Sequence, residues 1–210
     1  MTTAPTALEP RDWRARVRES RLGTLAVLIV TAVLVMGAAY LIDRPKHSGN
    51  AVTAVKLTGT ATGAGPVAGK PAQDFTATTV DGQQISLSAY RGHPVWLTFG
   101  ASWCAACRAE APDVESAYEH AKADGVVVIE VFISEDSAAV RDYAGRVGLS
   151  YVQVADPDTQ ISSAYRVLGI PAHYFIDRTG VLRLIKTGSL TRARMDAALT
   201  ETSRYPGTNG

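Results

Sequence analysis

The chain has 210 residues, a net charge of +1, 46% hydrophobic residues and two cysteines. This length accommodates one ordinary domain and an additional segment. Two cysteines exclude a disulfide-dense small scaffold and a cysteine-rich zinc protein, because such proteins need several pairs. The near-neutral charge predicts no basic surface beyond the N-terminal segment, and we therefore expect no nucleic-acid partner.

An apolar segment is the first feature in chain order. Residues 22–42 carry no charged side chain, and about 20 such residues span the core of a bilayer. We predict a single transmembrane anchor here, in contact with the lipid bilayer. Arginines concentrate positive charge in residues 1–21, so we expect this segment in the cytoplasm and the C-terminal part outside it. A cleaved signal peptide is the alternative, although its apolar stretch is usually about 7–15 residues long.

The rest of the chain divides by composition. Residues 43–70 are rich in Gly, Ala and Thr and predict a flexible linker, with a short strand within residues 54–57 as the alternative. We expect one domain over residues 71–201 and a frayed tail over residues 202–210.

Strand-like and helix-like segments alternate in that domain and predict an α/β fold with a mixed sheet. Strands are predicted at residues 75–79, 84–87, 95–99, 126–133, 151–155, 173–176 and 181–186. Helices are predicted at residues 104–123, 138–147, 160–166 and 191–201. The segment 126–133 is almost entirely β-branched or apolar, which is typical of a strand covered on both faces.

Both cysteines lie in the segment WCAAC, residues 103–107, between a predicted buried strand and a predicted helix. This spacing places the two sulfurs on one helical turn, and the helix N-terminus favours a thiolate at the first of them. We predict Cys104 as the nucleophile of thiol-disulfide exchange and Cys107 as the resolving thiol. A structural disulfide and a zinc site are weaker alternatives, since the loop is small and the histidines show no paired spacing.

Three separated motifs extend this pattern: GKPAQDFTATTVDGQQISLSAYRGHPVWLTFGASWCAAC, CRAEAP and GIPAHYFIDRTG. Over about residues 69–199 the chain resembles the membrane-anchored thioredoxin-like disulfide reductases of the TlpA/ResA/CcmG type. The resemblance implies a thioredoxin-like fold with an N-terminal hairpin extension, preceded by one transmembrane helix.

The resemblance also implies further site residues. Pro171 falls where the family has a cis-proline beside the active site, and the Ile170 backbone would pair there with an incoming peptide. Trp103 matches an aromatic residue that shields the disulfide and contacts partner proteins. Glu110 matches an acidic residue that tunes the thiols in some members. The respective alternatives are a trans proline, a tryptophan that only packs and a solvated glutamate.

The sequence departs from the family pattern at three positions. Thr98 stands where thioredoxin has a buried acid, and we predict Glu110 as the substitute for that acid. Gly100 replaces a frequent tryptophan. Ala106 replaces the usual proline before the second cysteine, which changes the backbone stiffness and one amide donor beside the sulfurs. The resemblance therefore leaves the reduction potential open.

We predict an extracytoplasmic thiol-disulfide oxidoreductase that reduces disulfides of client proteins, with electrons from a membrane thiol donor. In the family the commonest client is apocytochrome c. This chemistry needs neither a cofactor nor a metal. A disulfide-forming oxidase is one alternative, and a Cu(I)-binding metallochaperone that uses the two cysteines and His173 is another. Related metallochaperones have a CxxxC motif, whereas this sequence has CxxC. The sequence around the cysteines also differs from that around the reactive cysteine of peroxiredoxins.

Overall fold

The computed structural model describes residues 21–42, 56–58 and 65–205, with side chains over residues 23–38 and 65–205. The predicted cytoplasmic segment up to residue 20, most of the predicted linker and residues 206–210 lie outside this part of the chain. The chain divides into two compact units, Met1–Asn50 and Ala51–Gly210. In the first unit the described element is helix α1, Arg21–Ile42. Over the residues described, no helix combines the length and the hydropathy needed to cross a membrane.

In the second unit the described residues form two β-sheets. A three-stranded antiparallel sheet has the order β1-β2-β3, and a five-stranded mixed sheet has the order β6-β5-β4-β7-β8. In the larger sheet β4, β5 and β6 are parallel, while β7 and β8 are antiparallel to their neighbours. The strand bounds are β1 Lys56–Thr58, β2 Asp74–Thr78, β3 Gln84–Ser86, β4 Val95–Gly100, β5 Val127–Ile133, β6 Val152–Asp156, β7 Ala172–Ile176 and β8 Leu182–Thr187.

Among the described residues of this unit, four α-helices accompany the sheets. Their bounds are α2 Ala105–Ala121, α3 Ser137–Val147, α4 Gln160–Ala164 and α5 Arg192–Ser203. Short 3-10 turns occupy Leu87–Tyr90 and Lys122–Asp124. The second of these turns ends at Gly125, whose φ of 79° suits a residue without a Cβ atom.

The larger sheet has an apolar core on each face, because side chains alternate across a strand. Leu97, Phe99 and Val131 pack on one face with β2 and α4 residues such as Phe75 and Ile161. The other face packs against α2 and α5, with a core of Trp96, Val114, Ala117, Val126, Val128, Tyr151, Phe175, Met195, Ala198 and Leu199. The prediction that the strand at residues 126–133 is covered on both faces is therefore confirmed.

The order of the predicted elements is confirmed, and the differences lie at the ends of elements and in β1. The short strand β1 lies in the predicted linker and extends the hairpin of β2 and β3 to three strands. Helix α4 ends at Ala164, two residues before its predicted end, and Arg166 has a φ of 49°. Helix α5 continues to Ser203, because buried Thr202 still donates its hydroxyl hydrogen bond to the Ala198 carbonyl at 2.7 Å.

Candidate active site

The two cysteines form a disulfide at the start of α2. Cys104 is the N-cap residue, and its Sγ accepts a hydrogen bond from the Cys107 backbone N–H at 3.1 Å. Both sulfur-bearing residues are buried and pack with Ala101 and Ile170. The first sulfur therefore lies at the helix N-terminus, as predicted, where unpaired amides stabilise a thiolate.

A carboxylate from the loop after β5 holds the loop before the cysteines. Glu135 is buried and accepts hydrogen bonds from the Ser102 backbone N–H, at 2.7 Å, and from the Ser102 hydroxyl. Arg108 of α2 donates to the Ser102 carbonyl at 3.0 Å. Between these anchored positions Trp103 is 60% exposed. This exposure does not agree with the alternative in which the tryptophan serves only to pack in the interior.

The loop before β7 brings a proline to the cysteine pair. The Ile170–Pro171 peptide bond is cis, as the resemblance implied, and the trans alternative is wrong. Ile170 packs against the cluster of Ala101 and the two cysteines. Leu168, two residues earlier, is almost fully exposed. This loop therefore lies beside the disulfide and carries an apolar side chain in solvent.

Glu110 lies on the buried face of α2. It is 5% exposed, which excludes the solvated alternative. Its Oε1 accepts a hydrogen bond from the Leu190 backbone N–H at 2.8 Å and lies 3.4 Å from His173 Nε2. Burial raises the pKa of Glu110 to about 7; the Leu190 N–H opposes this rise and the charge of Asp113 adds to it. A carboxyl with this pKa can take up or return a proton near neutral pH.

His173 lies in β7, opposite Thr98 of β4, and is fully buried. Its Nδ1 accepts the Trp96 indole N–H at 3.3 Å, and the Thr98 hydroxyl lies 3.1 Å from the same nitrogen. Since an indole nitrogen only donates, the neutral ring carries its proton on Nε2, which faces Glu110. Burial lowers the pKa of His173 to about 4, so the ring is neutral at pH 7.

A metal would need several ligands close together. Within the described ranges, no three His, Cys, Asp or Glu side chains form a group that could hold a metal ion. The ring of His173, which the Cu(I) alternative requires, contacts Trp96, Thr98 and Glu110.

Glu130 of β5 is a second buried acid that the sequence analysis did not single out. It is 9% exposed, and the Tyr151 hydroxyl donates to its Oε2 at 2.6 Å. Burial raises the pKa of Glu130 to about 7; the Tyr151 hydrogen bond opposes this rise, and the charges of Glu110 and Glu135 add to it. A charged residue inside an otherwise apolar strand was the available signal. Glu135 had no comparable signal, because it follows the strand among other polar residues.

Known proteins are similar to this chain in sequence and in fold. The chain matches the AhpC/TSA family model over residues 68–185. Thiol-disulfide oxidoreductase ResA of Geobacillus kaustophilus is 34% identical over 131 residues, which are 62% of this chain and 75% of that protein. The ResA of Bacillus subtilis is 31% identical over 125 residues, 60% of this chain and 70% of that protein.

A solved structure adds a comparison of folds. The crystal structure of a thiol:disulfide interchange protein of the thioredoxin family from Chlorobium tepidum matches with a TM-score of 0.59 and 25% identity. The match covers 63% of this chain and 95% of that chain. The thioredoxin-like α/β fold is thus confirmed, and the region that matches the family model contains both cysteines and the cis-proline loop. The chain belongs to the AhpC/TSA family and is related to the ResA thiol-disulfide oxidoreductases.

Proposed function

We propose that this protein reduces disulfides of client proteins outside the cytoplasm. One observation carries the proposal: the Cys104–Cys107 disulfide lies at the N-terminus of α2, between an exposed tryptophan and the cis Ile170–Pro171 loop. Thiol-disulfide exchange needs an attacking thiolate, a second thiol within reach and a surface for the client. The site contains all three.

The reaction begins from the reduced pair. The Cys104 thiolate attacks one sulfur of a client disulfide, forms a mixed disulfide and releases the other client sulfur as a thiolate. Cys107 then loses its proton and attacks Cys104 Sγ, which releases the second client thiol and leaves the disulfide seen in the structure. The client gains two electrons and the pair of cysteines loses two.

The surface around the pair suits an extended polypeptide. Trp103 and Leu168 present apolar side chains to solvent, at 60% and 99% exposure. The Ile170 backbone beside the cis-proline offers pairing to an incoming strand. We expect these three residues to contact the client and Cys104 to form the covalent bond.

The setting in the cell belongs to the same proposal. The uncharged segment of residues 22–42 and the arginine-rich flank before it support a single-pass anchor with a cytoplasmic N-terminus. In that setting a membrane thiol protein supplies the electrons, and apocytochrome c is the client we expect first. Fractionation tests the anchor: the full chain should stay with membranes at alkaline pH, and a chain beginning at His47 should not. Release of the full chain under those conditions would contradict it.

Trapping of the client tests the enzymatic step. A Cys107→Ala variant should hold its client through Cys104 as a mixed disulfide, because the resolving thiol is missing. Mass spectrometry after non-reducing electrophoresis identifies the trapped protein. The matched control is Cys104→Ala, which should trap no client. If both variants trap the same proteins equally, the assignment of the nucleophile is wrong.

The reduction potential tests the direction. A value below about −230 mV, nearer thioredoxin than DsbA, supports a reductase, and a value near −120 mV supports an oxidase. The Cu(I) alternative predicts instead a tight 1:1 complex in an anaerobic titration of the reduced protein.

A further inference from the structure

Glu130 lies beside the strand position at which thioredoxin has its buried acid. Here that position, Thr98 of β4, is directly paired with Glu130 of β5. Paired residues of neighbouring strands point to the same face of a sheet, about 5 Å apart. Trp96 and Val128, the pair two positions earlier, pack on the face covered by α2, so Glu130 points to that face as well. The buried acid therefore comes from the adjacent strand.

Gly100 opens the space between this carboxyl and the second cysteine. A Cβ atom at Gly100 would lie 2.6 Å from Glu130 Oε1, 3.6 Å from Cys107 Cβ and 3.7 Å from Cys107 Sγ. The carboxylate oxygen and the sulfur thus approach the same point, and a side chain at this position would have to displace that oxygen. The glycine occupies the position of a frequent tryptophan in the proteins that the chain resembles.

The groups around Glu130 leave it able to exchange a proton. The Tyr151 hydroxyl holds one oxygen, Oε2, and the other oxygen, Oε1, faces the space at Gly100. The other titratable groups that act on this region are Glu110 and Arg108 of α2, Glu135 after β5 and Tyr143 of α3. Glu110 accepts from the Leu190 N–H and Glu135 accepts from Ser102. Burial raises the pKa of Glu130 to about 7, close to physiological pH, and the negative charges of Glu110 and Glu135 add to this rise.

We propose that Glu130 is the proton acceptor for Cys107 when Cys107 resolves the mixed disulfide, and that Gly100 is required for this transfer. The proposal rests on the disulfide exchange described above. The Cys107 thiol gives its proton to the Glu130 carboxylate, and the resulting thiolate attacks Cys104 Sγ. The bond between Cys104 and the client sulfur breaks as the Cys104–Cys107 bond forms, and the client sulfur leaves as a thiolate. When a donor dithiol later reduces the pair, the proton returns from Glu130 to Cys107.

Stopped-flow absorbance separates the attack by Cys104 from the resolution by Cys107. The reduced protein is mixed with one equivalent of the aromatic disulfide dithiobis-nitrobenzoate. The first release of thionitrobenzoate reports the attack by Cys104, and the second reports the resolution by Cys107. In Glu130→Gln the second phase should slow at least tenfold at pH 7, since general-base catalysis contributes about 10²–10⁴-fold. Its rate should then rise with hydroxide concentration, because Cys107 must lose its proton to solvent. The first phase should stay within twofold of wild type.

Two further variants complete the test. Gly100→Ala keeps the acid but places a methyl group against it, and it should slow the second phase in the same way. Glu201→Gln, on the exposed face of α5, makes the same chemical change away from the site and should leave both phases unchanged. If Glu130→Gln and Gly100→Ala both resolve at the wild-type rate with the wild-type pH dependence, Glu130 is not the acceptor. If the wild type shows no first phase, the disulfide exchange itself is wrong and the role of Glu130 fails with it.

Discussion

Two buried carboxyls near opposite ends of the five-stranded sheet have pKa values that are shifted in opposite directions. Asp177 follows β7, next to the beginning of β4, and is 1% exposed. Burial by itself would raise its pKa, but hydrogen bonds from Thr179, Val181 and Arg183 lower the pKa below the ordinary value. Glu130 lies towards the active-site end and is buried to a similar degree, yet its pKa rises to about 7.

The number of donors contributes to this difference, together with the negative charges of Glu110 and Glu135 near Glu130. Asp177 accepts from Thr179 through its N–H and hydroxyl, from the Val181 N–H and from Arg183 Nε, at 2.6 to 3.0 Å. Among the described residues, the one donor to Glu130 is the Tyr151 hydroxyl. A carboxylate that loses its hydration and regains four donors stays charged, whereas one that regains a single donor favours the protonated form. The first carboxylate stabilises a turn, and the second can transfer a proton.

Removal of the well-satisfied acid should have the largest effect on stability. Asp177→Ala leaves the half-buried donors of Thr179 and Val181 without their acceptor and removes the ion pair with Arg183, so the free energy of unfolding should fall by about 3 kcal/mol. Urea denaturation of the oxidised protein measures this, with Asp158→Ala at an exposed position as the control. The two-phase kinetics of the folded variant should be unchanged. A change of less than 1 kcal/mol would show that the donors find other partners.

Neutralisation of the poorly satisfied acid should have a smaller effect that depends on pH. Between pH 4.5 and 7 native Glu130 holds a proton that the unfolded chain has lost, so wild-type stability falls as the pH rises through this window. The Glu130→Gln variant cannot titrate at this position, so its stability lacks this pH-dependent decrease. Its free energy of unfolding relative to wild type should rise by about 2 kcal/mol from pH 5 to pH 8. A pH-independent difference between the two proteins would mean that Glu130 has an ordinary pKa.

Removal of the single donor should have the smallest effect. Tyr151→Phe deletes the hydroxyl that lowers the pKa of Glu130, and this pKa should rise by about one unit. Infrared titration of the carboxyl band measures the shift in the oxidised protein. Tyr118→Phe is the matched control, because its ring packs edge-on against Tyr151 and the change removes a neighbouring hydroxyl. An equal shift in both variants would assign the effect to general polarity rather than to this hydrogen bond.

Much of the architecture followed from local patterns. The order of strands and helices was predicted because hydrophobic periodicity and turn residues act over short distances. The cysteine spacing predicted the reactive pair and its place at a helix start. The cis bond before Pro171 was implied by resemblance, since an isolated X-Pro bond is cis in only about 5% of cases. For the segment that contains β1, a flexible linker was preferred over a strand. Three residues in a segment rich in small side chains carry almost no strand signal.

The buried acids show where prediction from sequence ended. Glu110 was predicted as a functional carboxyl, but its contacts with Leu190 and His173 join residues far apart in the chain. Glu130 was missed, because its place beside Thr98 depends on the register between β4 and β5. A shift of that register by one residue would turn the carboxyl to the other face of the sheet. Gly100, noted only as the loss of a tryptophan, acquires a role once this register is known.

By itself the sequence determined the reactive chemistry: two thiols one helical turn apart at the start of a helix, with an apolar segment far upstream. These features depend on neighbours along the chain, and local geometry is enough to specify them. Only the tertiary structure decided which carboxyl group is desolvated, which hydrogen-bond donors it receives and whether a cysteine sulfur lies close to it. Desolvation and hydrogen bonding come from residues that only folding brings together, so the proton chemistry of Cys107 is a property of the packed sheet and helix.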